Sequence, residues 1–301
     1  MMQSRQRVTV AIPVFNGEEM IGEAIDSVLA QTYEELELII VDDGSTDRSI
    51  EVAERHSDER VSVVSVKRGG PSWARNIALA SARGEYIAFL DADDYWLSNR
   101  LERQVCILES EPTVEVVGHL MRYEPLGSKR TLGVTGDIVD ERAMERVRAG
   151  ALVPFPLSSS LFRTDSVRAI GGFDEELSAA ADLDVYARVA QKGTFITINE
   201  VLGAYRLHSD SISAKHSSRQ VRQARFIRAR LAAESEGRSL TLHQFEATYK
   251  PTFAQRYGDL VHRFYRRTGL AVAEHRWLPT LAYGAGALIL GPRYTANRFL
   301  S

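Results

Sequence analysis

The sequence predicts an α/β fold in which a mainly parallel central sheet is flanked by helices and followed by a helical C-terminal extension. Three observations carry the prediction. Short apolar runs alternate with segments of helical periodicity over the first hundred residues. Those runs are apolar throughout rather than at every second position, as strands covered on both faces are. The polar oddities of the chain stand where those strands end, which is where open α/β sheets bind their ligands.

Residues 8–12 (Val-Thr-Val-Ala-Ile) read as the first strand, and Met20, Ile21, Ala24, Ile25, Val28 and Leu29 then fall on one helical face. Residues 36–41 form a second strand, after which Ser45 or Thr46 is placed to cap a helix through Ile50 and Ala53. Residues 61–66 form a third. Trp73, Ile77 and Ala80 line the next helix, which Gly84 can end in the left-handed conformation. Residues 86–90 complete the set. Farther on, residues 114–117 read as a strand, 123–134 as a hairpin or loop, and 141–148 as a helix. Residues 158–162 and 195–198 read as strands, Thr164 caps a short helix ending at Gly171-Gly172, and 182–191 is helical.

A chain of 301 residues, 44% hydrophobic and 26% charged, can bury one substantial core with an appendage. Its single cysteine, Cys106, excludes an intramolecular disulfide and suits a reducing compartment. Its place in a helix-like stretch reads as a buried structural thiol. Strand-like residues begin at Val8 with no apolar run before them, so no secretory signal is expected and the expected location is the cytoplasm. The net charge of −3 hides an asymmetry. Residues 1–214 hold 22 Lys+Arg against 35 Asp+Glu, a net −13, and residues 215–301 hold 15 against 5, a net +10. A domain boundary is therefore expected near Ser213–His216, with a different partner for the tail.

The chemistry concentrates in Asp91-Ala92-Asp93-Asp94, at the end of the fourth strand. Three crowded carboxylates repel one another and are costly to desolvate, so a hard divalent cation is expected among them. Asp42-Asp43-Gly44-Ser45 follows the second strand. It reads either as a turn with a helix cap or as carboxylates that accept from a base N–H or ribose hydroxyls. No GxGxxG follows the first strand and no GxxxxGK[ST] occurs, which argues against a dinucleotide oxidoreductase and a P-loop NTPase.

Five ordered motifs then carry a resemblance. Val10-Ala11-Ile12-Pro13-Val14-Phe15-Asn16, Ile40-Val41-Asp42-Asp43-Gly44-Ser45-Thr46-Asp47 and Leu90-Asp91-Ala92-Asp93-Asp94 stand in order with Gly70-Pro71-Ser72-Trp73-Ala74-Arg75-Asn76 and Gly171-Gly172-Phe173-Asp174-Glu175. Over residues 7–212 the chain resembles family-two glycosyltransferases, inverting enzymes of the nucleotide-sugar GT-A fold. The resemblance implies a catalytic domain over residues 1–214. Its nucleotide-binding half would be about 1–110 and its acceptor-binding half about 111–214, ahead of the extension at 215–301.

It also implies roles. Pro13, Phe15 and Asn16 would wall the nucleoside, Asp43 would accept from the base, Asp91 would hold the ribose and Arg75 would approach the phosphates. Asp93 would ligate Mn²⁺ or Mg²⁺, and His208 would serve near the metal and diphosphate. Asp182 matches the catalytic base, with Ala181 standing where the family usually has Glu, and Asp184 is assigned to structure. A base on the acceptor side removes the proton of the attacking hydroxyl, worth about 10²–10⁴-fold.

The expected donor is a nucleoside-diphosphate sugar, UDP-sugar by family habit, and the acceptor a hydroxyl of a glycan or lipid-linked glycan. A polyprenyl-phosphate glycosyltransferase and a non-catalytic nucleotide-sugar or glycan-binding module are the alternatives. No nucleic-acid partner is expected. In the tail, Arg219, Arg222, Arg225, Arg228 and Arg230 make a basic helical stripe, and residues 277–290 form an apolar stretch between Arg276 and Arg293. It is shorter than the ~20 residues that span a bilayer. Two readings stand for it: an interfacial helix on the anionic cytoplasmic face of a membrane, and a hairpin packed on the catalytic domain.

Overall fold

The computed structural model describes residues 7–209, 211, 216–253, 255–257, 259, 260, 268 and 271. The chain divides into two compact units, residues 1–123 with 133–205, and residues 124–132 with 206–301.

In the first unit, β1 (Val8–Val14), α1 (Ile21–Leu29), β2 (Leu36–Asp42), α2 (Ser49–Glu54), β3 (Val61–Ser65), α3 (Pro71–Ser81) and β4 (Tyr86–Phe89) alternate as the periodicity predicts. β1 lies between β2 and β4, with β3 beyond β2, and all three pairings are parallel. β1, β2 and β4 bury nearly every side chain, so each reads as a continuous apolar run. Ile21, Ala24, Ile25 and Val28 of α1 are fully buried in the same core. Each of the three large residues contributes about 1.5–3 kcal/mol of transfer free energy.

The sheet continues through β8 (Leu161–Arg163), β6 (Val114–Pro125), β9 (Thr194–Leu207) and β5 (Tyr95–Trp96). β8 is antiparallel to both β4 and β6. β7 (Gly133–Thr135) turns back on Met121–Tyr123, so the ambiguous segment is a hairpin. Helices α4 (Arg100–Ser110), α5 (Glu141–Arg148), α6 (Thr164–Ala169) and α7 (Ala181–Val189) complete the unit. Gly171 and Gly172 take positive φ after α6, and their N–H groups close on Arg168 and Val167 as a helix terminus requires.

Four local expectations are corrected. Ser45 and Thr46 do not cap α2, because both bond to Asn16, while Asp47 accepts from the Ser49 N–H instead. Thr164 does not cap α6, because its hydroxyl donates to the Gly84 carbonyl at 2.8 Å. Gly84 is not left-handed, and α3 ends at Ser81. A Cβ on Gly84 would lie 2.5 Å from the Thr9 nitrogen, so close backbone approach requires the glycine. Cys106 is exposed, since Leu101, Gln104, Val105 and Leu108 form the buried stripe of α4 and residue 106 falls on the other face.

The second unit contains α8 (Ser217–Ser235) and α9 (Leu242–Thr248), the latter opened by a capping box of Thr241 and Gln244. Phe226 packs on Phe245 with ring centroids 5.7 Å apart. The predicted basic stripe is partly neutralised here. Arg225 forms an ion pair with Asp259, Arg222 lies 3.9 Å from Glu246, and Arg230 lies 3.8 Å from Glu234. Among the described residues no helix is long and apolar enough to cross a membrane. The apolar stretch 277–290, with Arg276, Arg293 and Ser213, lies outside the described residues.

Candidate active site

Loops at the carboxyl ends of the four parallel strands build the site. After β1, Asn16 adopts φ of +50°, a left-handed conformation that Asn tolerates better than most residues. Its Oδ1 accepts from the Thr46 N–H at 2.8 Å and its own N–H donates to Ser45 Oγ at 2.9 Å. These bonds sew the loop after β1 to the loop after β2. Pro13 sits in register with Val41, and Phe15 stays partly exposed beside them.

After β2, Asp42 is buried and its Oδ1 accepts from the Ser45 N–H at 3.2 Å, a turn-forming role. Asp43 turns the other way. Its two oxygens accept from Gly69 N–H at 2.6 Å and Gly70 N–H at 2.9 Å. Each carboxylate oxygen has a second lone pair, so these bonds leave Asp43 able to accept from a ligand. They also fix the turn into α3, where Gly70 takes φ of +97° and Pro71 occupies the first helical position.

Helix α3 ties three parts of the site together. Arg75 donates to Asp91 Oδ1 at 2.6 Å, and its buried Nε–H has no hydrogen-bond partner. The next residue, Asn76, donates to the Phe173 carbonyl and accepts from the Phe173 N–H, at 2.9 and 2.8 Å. Asn76 also donates to Glu175 at 2.9 Å, and Ser72 donates to the Leu177 carbonyl at 3.2 Å. The loop 171–177, which leads into α7, is thus pinned to the helix that carries Arg75.

After β4, Asp91, Asp93 and Asp94 each offer a carboxylate oxygen within 4.8 Å of the others. Burial raises the pKa of Asp91 and the Asp93 charge raises it further, while Arg75 opposes both. An all-oxygen, anionic donor set whose charges strain against one another fits a hard divalent cation such as Mn²⁺ or Mg²⁺.

Asp182 lies in the first turn of α7, half-buried, with its Oδ1 accepting from the Leu183 N–H at 2.8 Å. Burial raises its pKa, the Leu183 bond and the Arg75 cation lower it, and the Asp91 charge raises it. Asp182, Arg75 and Asp91 therefore share one electrostatic neighbourhood. Asp184, fully buried, pairs with Arg188, whose guanidinium also donates to the Gly172 carbonyl at 2.7 Å; this is the structural role read from the sequence. His208 belongs to the second unit, where its carbonyl accepts from the Ser211 hydroxyl at 3.1 Å.

Three residues at or near the site had no sequence signal. Arg68, beside the Gly69-Gly70 turn, lays its guanidinium 3.6 Å over the Phe15 ring. Arg100 is fully buried, stacked 3.5 Å over Trp96, and donates to His119 Nε2 at 3.2 Å and the Ser160 carbonyl at 2.8 Å. Arginine Nε always carries its proton, so His119 must accept there and donate from Nδ1 to the Leu120 carbonyl at 2.8 Å. Burial and the Arg100 charge push that imidazole down to about 3. Tyr186, one turn after Asp182, bonds to Ser160 Oγ, and burial pushes its phenol up, with the Asp182 and Asp91 charges adding to the effect. Arg68 lies in the loop before α3, Arg100 and Tyr186 lie in helices, and nothing in their spacing sets any of them apart from ordinary surface or packing residues.

The fold and the gathered acids define a GT-A glycosyltransferase. The family model described as Glycosyl transferase family 2 matches residues 9–171, and the chain belongs to that family. It is 29% identical over 307 aligned positions to an uncharacterized glycosyltransferase, alr2836, of Nostoc sp. strain PCC 7120, covering 97% of this chain and 91% of the relative. It is 28% identical to WfaP of Escherichia coli, a UDP-Glc:alpha-D-GlcNAc-diphosphoundecaprenol beta-1,3-glucosyltransferase, covering 74% of this chain and 86% of that one. Among solved structures, Staphylococcus aureus TarS 1–349 in complex with UDP-GlcNAc aligns with a TM-score of 0.60 at 18% identity, over 97% of this chain and 92% of that one. The mannosyltransferase PcManGT of Pyrobaculum calidifontis, in complex with GDP-Man and Mn²⁺, aligns with a TM-score of 0.58 at 22% identity, over 96% and 82%. These likenesses establish the fold and an enzyme that transfers glycosyl groups.

Proposed function

We propose that the protein is a metal-assisted inverting glycosyltransferase, moving a sugar from a nucleoside-diphosphate donor, UDP-sugar in the first instance, to a hydroxyl of a glycan or lipid-linked glycan. One observation carries the reading. Arg75, with a buried and unpartnered Nε–H, stands in the electrostatic field shared by Asp91 and by Asp182, a carboxyl of raised pKa. A cation with a spare donor suits the donor's phosphates, and a carboxyl held above its ordinary range suits proton abstraction near neutral pH.

In this reading Pro13, Phe15 and Asn16 form the nucleoside wall, Asp43 accepts from the base and Asp91 holds the ribose. Asp93, with its acidic neighbours, would hold Mn²⁺ or Mg²⁺. That ion would neutralise charge on the leaving diphosphate. Asp182 takes the proton of the acceptor hydroxyl as its oxygen forms a bond to the anomeric carbon and the bond to the diphosphate breaks. The tight pinning of loop 171–177 to α3 supports the placement of Asp182 relative to Arg75. The remaining sequence-based assignments belong to the same reading: residues 1–214 as the catalytic domain, 215–301 as an extension able to meet an anionic cytoplasmic membrane face, and His208 near the diphosphate. The acceptor assignment draws support from WfaP, whose acceptor is a GlcNAc-diphosphoundecaprenol.

A thermal-shift panel of UDP, GDP, UDP-glucose, UDP-GlcNAc and GDP-mannose, with and without Mn²⁺, tests the donor reading. A ligand at 100 times its Kd adds about 2.7 kcal/mol of stability, so a metal-dependent rise in Tm is expected for at least one of them. No rise with any would overturn it.

A further inference from the structure

Ser158, Ser159 and Ser160, just before β8, are buried, and a side chain takes the backbone carbonyl of each. Trp96 Nε1–H donates to the Ser158 carbonyl at 2.7 Å, Gln104 to that of Ser159 at 2.9 Å and Arg100 to that of Ser160 at 2.8 Å. The donors stand four residues apart in the chain, with the Arg100 guanidinium 3.5 Å over the Trp96 ring. A buried carbonyl needs a partner, so three in a row bonded to one stripe of donors leave the segment no freedom to slide. The hydroxyls at its two ends reach different parts of the site. Ser158 Oγ accepts from the Asp91 N–H at 3.2 Å, in the acidic loop after β4. Ser160 Oγ bonds to the hydroxyl of Tyr186, on α7 one turn after Asp182. The three serines are thus a strut between the acids after β4 and the helix that carries the proposed base.

We infer that Tyr186 is a positioning residue for Asp182: its hydroxyl, bonded to Ser160, sets where the first turn of α7 stands relative to the acidic loop. This rests on the reading of Asp182 as the base. The Tyr186 ring needs no oxygen to pack. It stacks on Phe162 with centroids 5.7 Å apart and lies at right angles to Phe155 at 5.4 Å, so a phenylalanine would fill the same space. A buried hydroxyl among aromatic rings costs free energy unless it is bonded, and what it adds to packing is direction. Ser160 supplies that direction, since the Pro156 carbonyl stands farther off at 3.5 Å. The charges of Asp182 and Asp91 both push the Tyr186 phenol up, so the hydroxyl stands in the field of both acids that the strut spaces.

The experiment is a double-mutant cycle on the full chain, reading the rate of UDP release at saturating donor and, separately, the donor Kd. Tyr186→Phe, which removes one oxygen, is made in wild type and in Asp182→Asn, and Ser160→Ala removes the same bond from its other end. A displacement of about 1 Å at a reacting group can cost about 10²-fold, so Tyr186→Phe is expected to slow release about ten- to hundredfold with the donor Kd unchanged. Ser160→Ala should do the same. In the Asp182→Asn background neither substitution should slow the reaction further, because the group they position is gone. An equal loss in both backgrounds would mean that the hydroxyl serves the fold at large, and would overturn the inference. An unchanged rate, or a loss confined to donor affinity, would overturn it too and leave Asp182 as the base. Asp182→Asn with a near-wild-type rate would overturn both.

Discussion

Arg75 donates to Asp91 Oδ1 across 2.6 Å, joining the helix after β3 to the acidic loop after β4. The bond is charge-assisted and half-shielded, with the arginine side chain 10% exposed and the aspartate 35%. Since the same cation also lowers the pKa of Asp182, it couples the part of the site proposed to hold the donor to the part proposed to move the proton.

Removing that cation should therefore shift the pH dependence. In Arg75→Met, Asp182 loses the charge that favours its ionised form, so its pKa rises further. The acid limb of the kcat/KM profile for UDP release is expected to move to higher pH. An acid limb that stays in place would contradict the coupling.

Asp93→Ala is expected to abolish the Mn²⁺-dependent part of UDP binding while leaving the weaker metal-free binding in place. Titration of UDP with and without Mn²⁺ reads the difference directly. Equal Mn²⁺ enhancement in wild type and variant would remove Asp93 from the metal site.

Asp182 should also cost the protein stability. Its folded pKa is raised above the unfolded value by burial, so the folded state binds more protons between those two values. Stability contributed by this group is present below the unfolded pKa, near 3.9 for aspartate, and falls as pH rises toward the folded pKa. Asp182→Asn, neutral throughout, is thus expected to raise Tm at pH 7 and to change it little at pH 4. A lower Tm at pH 7 would contradict the sign.

Gly172→Ala tests the pinning of the loop before α7. Gly172 has φ of +74°, and a Cβ there would stand 2.6 Å from Asn76 Oδ1. The left-handed conformation alone costs a non-glycine residue about 1–2 kcal/mol, and the clash displaces the side chain that brackets Phe173. Denaturant unfolding should show a loss of about that size or more. In the assay kcat should fall while UDP affinity holds, because the loop leads into α7, which carries the proposed base, and not to the proposed nucleotide wall.

Much of this was legible in the sequence. Leu36–Val41 and Tyr86–Phe89 declare themselves as doubly covered strands, and the acids at their ends mark the crevice. Asp91 and Asp93 could be singled out because they stand in an ordered motif, and Asp182 because it follows the Gly171–Glu175 motif. Other features were set by tertiary contacts that spacing cannot show. Thr164 and Ser45 look like helix caps, yet each is spent on a distant partner, Gly84 and Asn16 respectively. Gly84 looks like a helix stop, and it is small because the backbone of Thr9 passes beside it. Arg68, Arg100 and Tyr186 gained their places only when remote elements closed on them.

The most direct test of the central claim is the rate of UDP release from the UDP-sugar that wild type binds, measured for Asp182→Asn beside wild type at equal donor occupancy. The proposed base predicts a fall of about 10²–10⁴-fold with the donor Kd unchanged. A variant that binds the donor normally and keeps a near-wild-type rate would contradict the account.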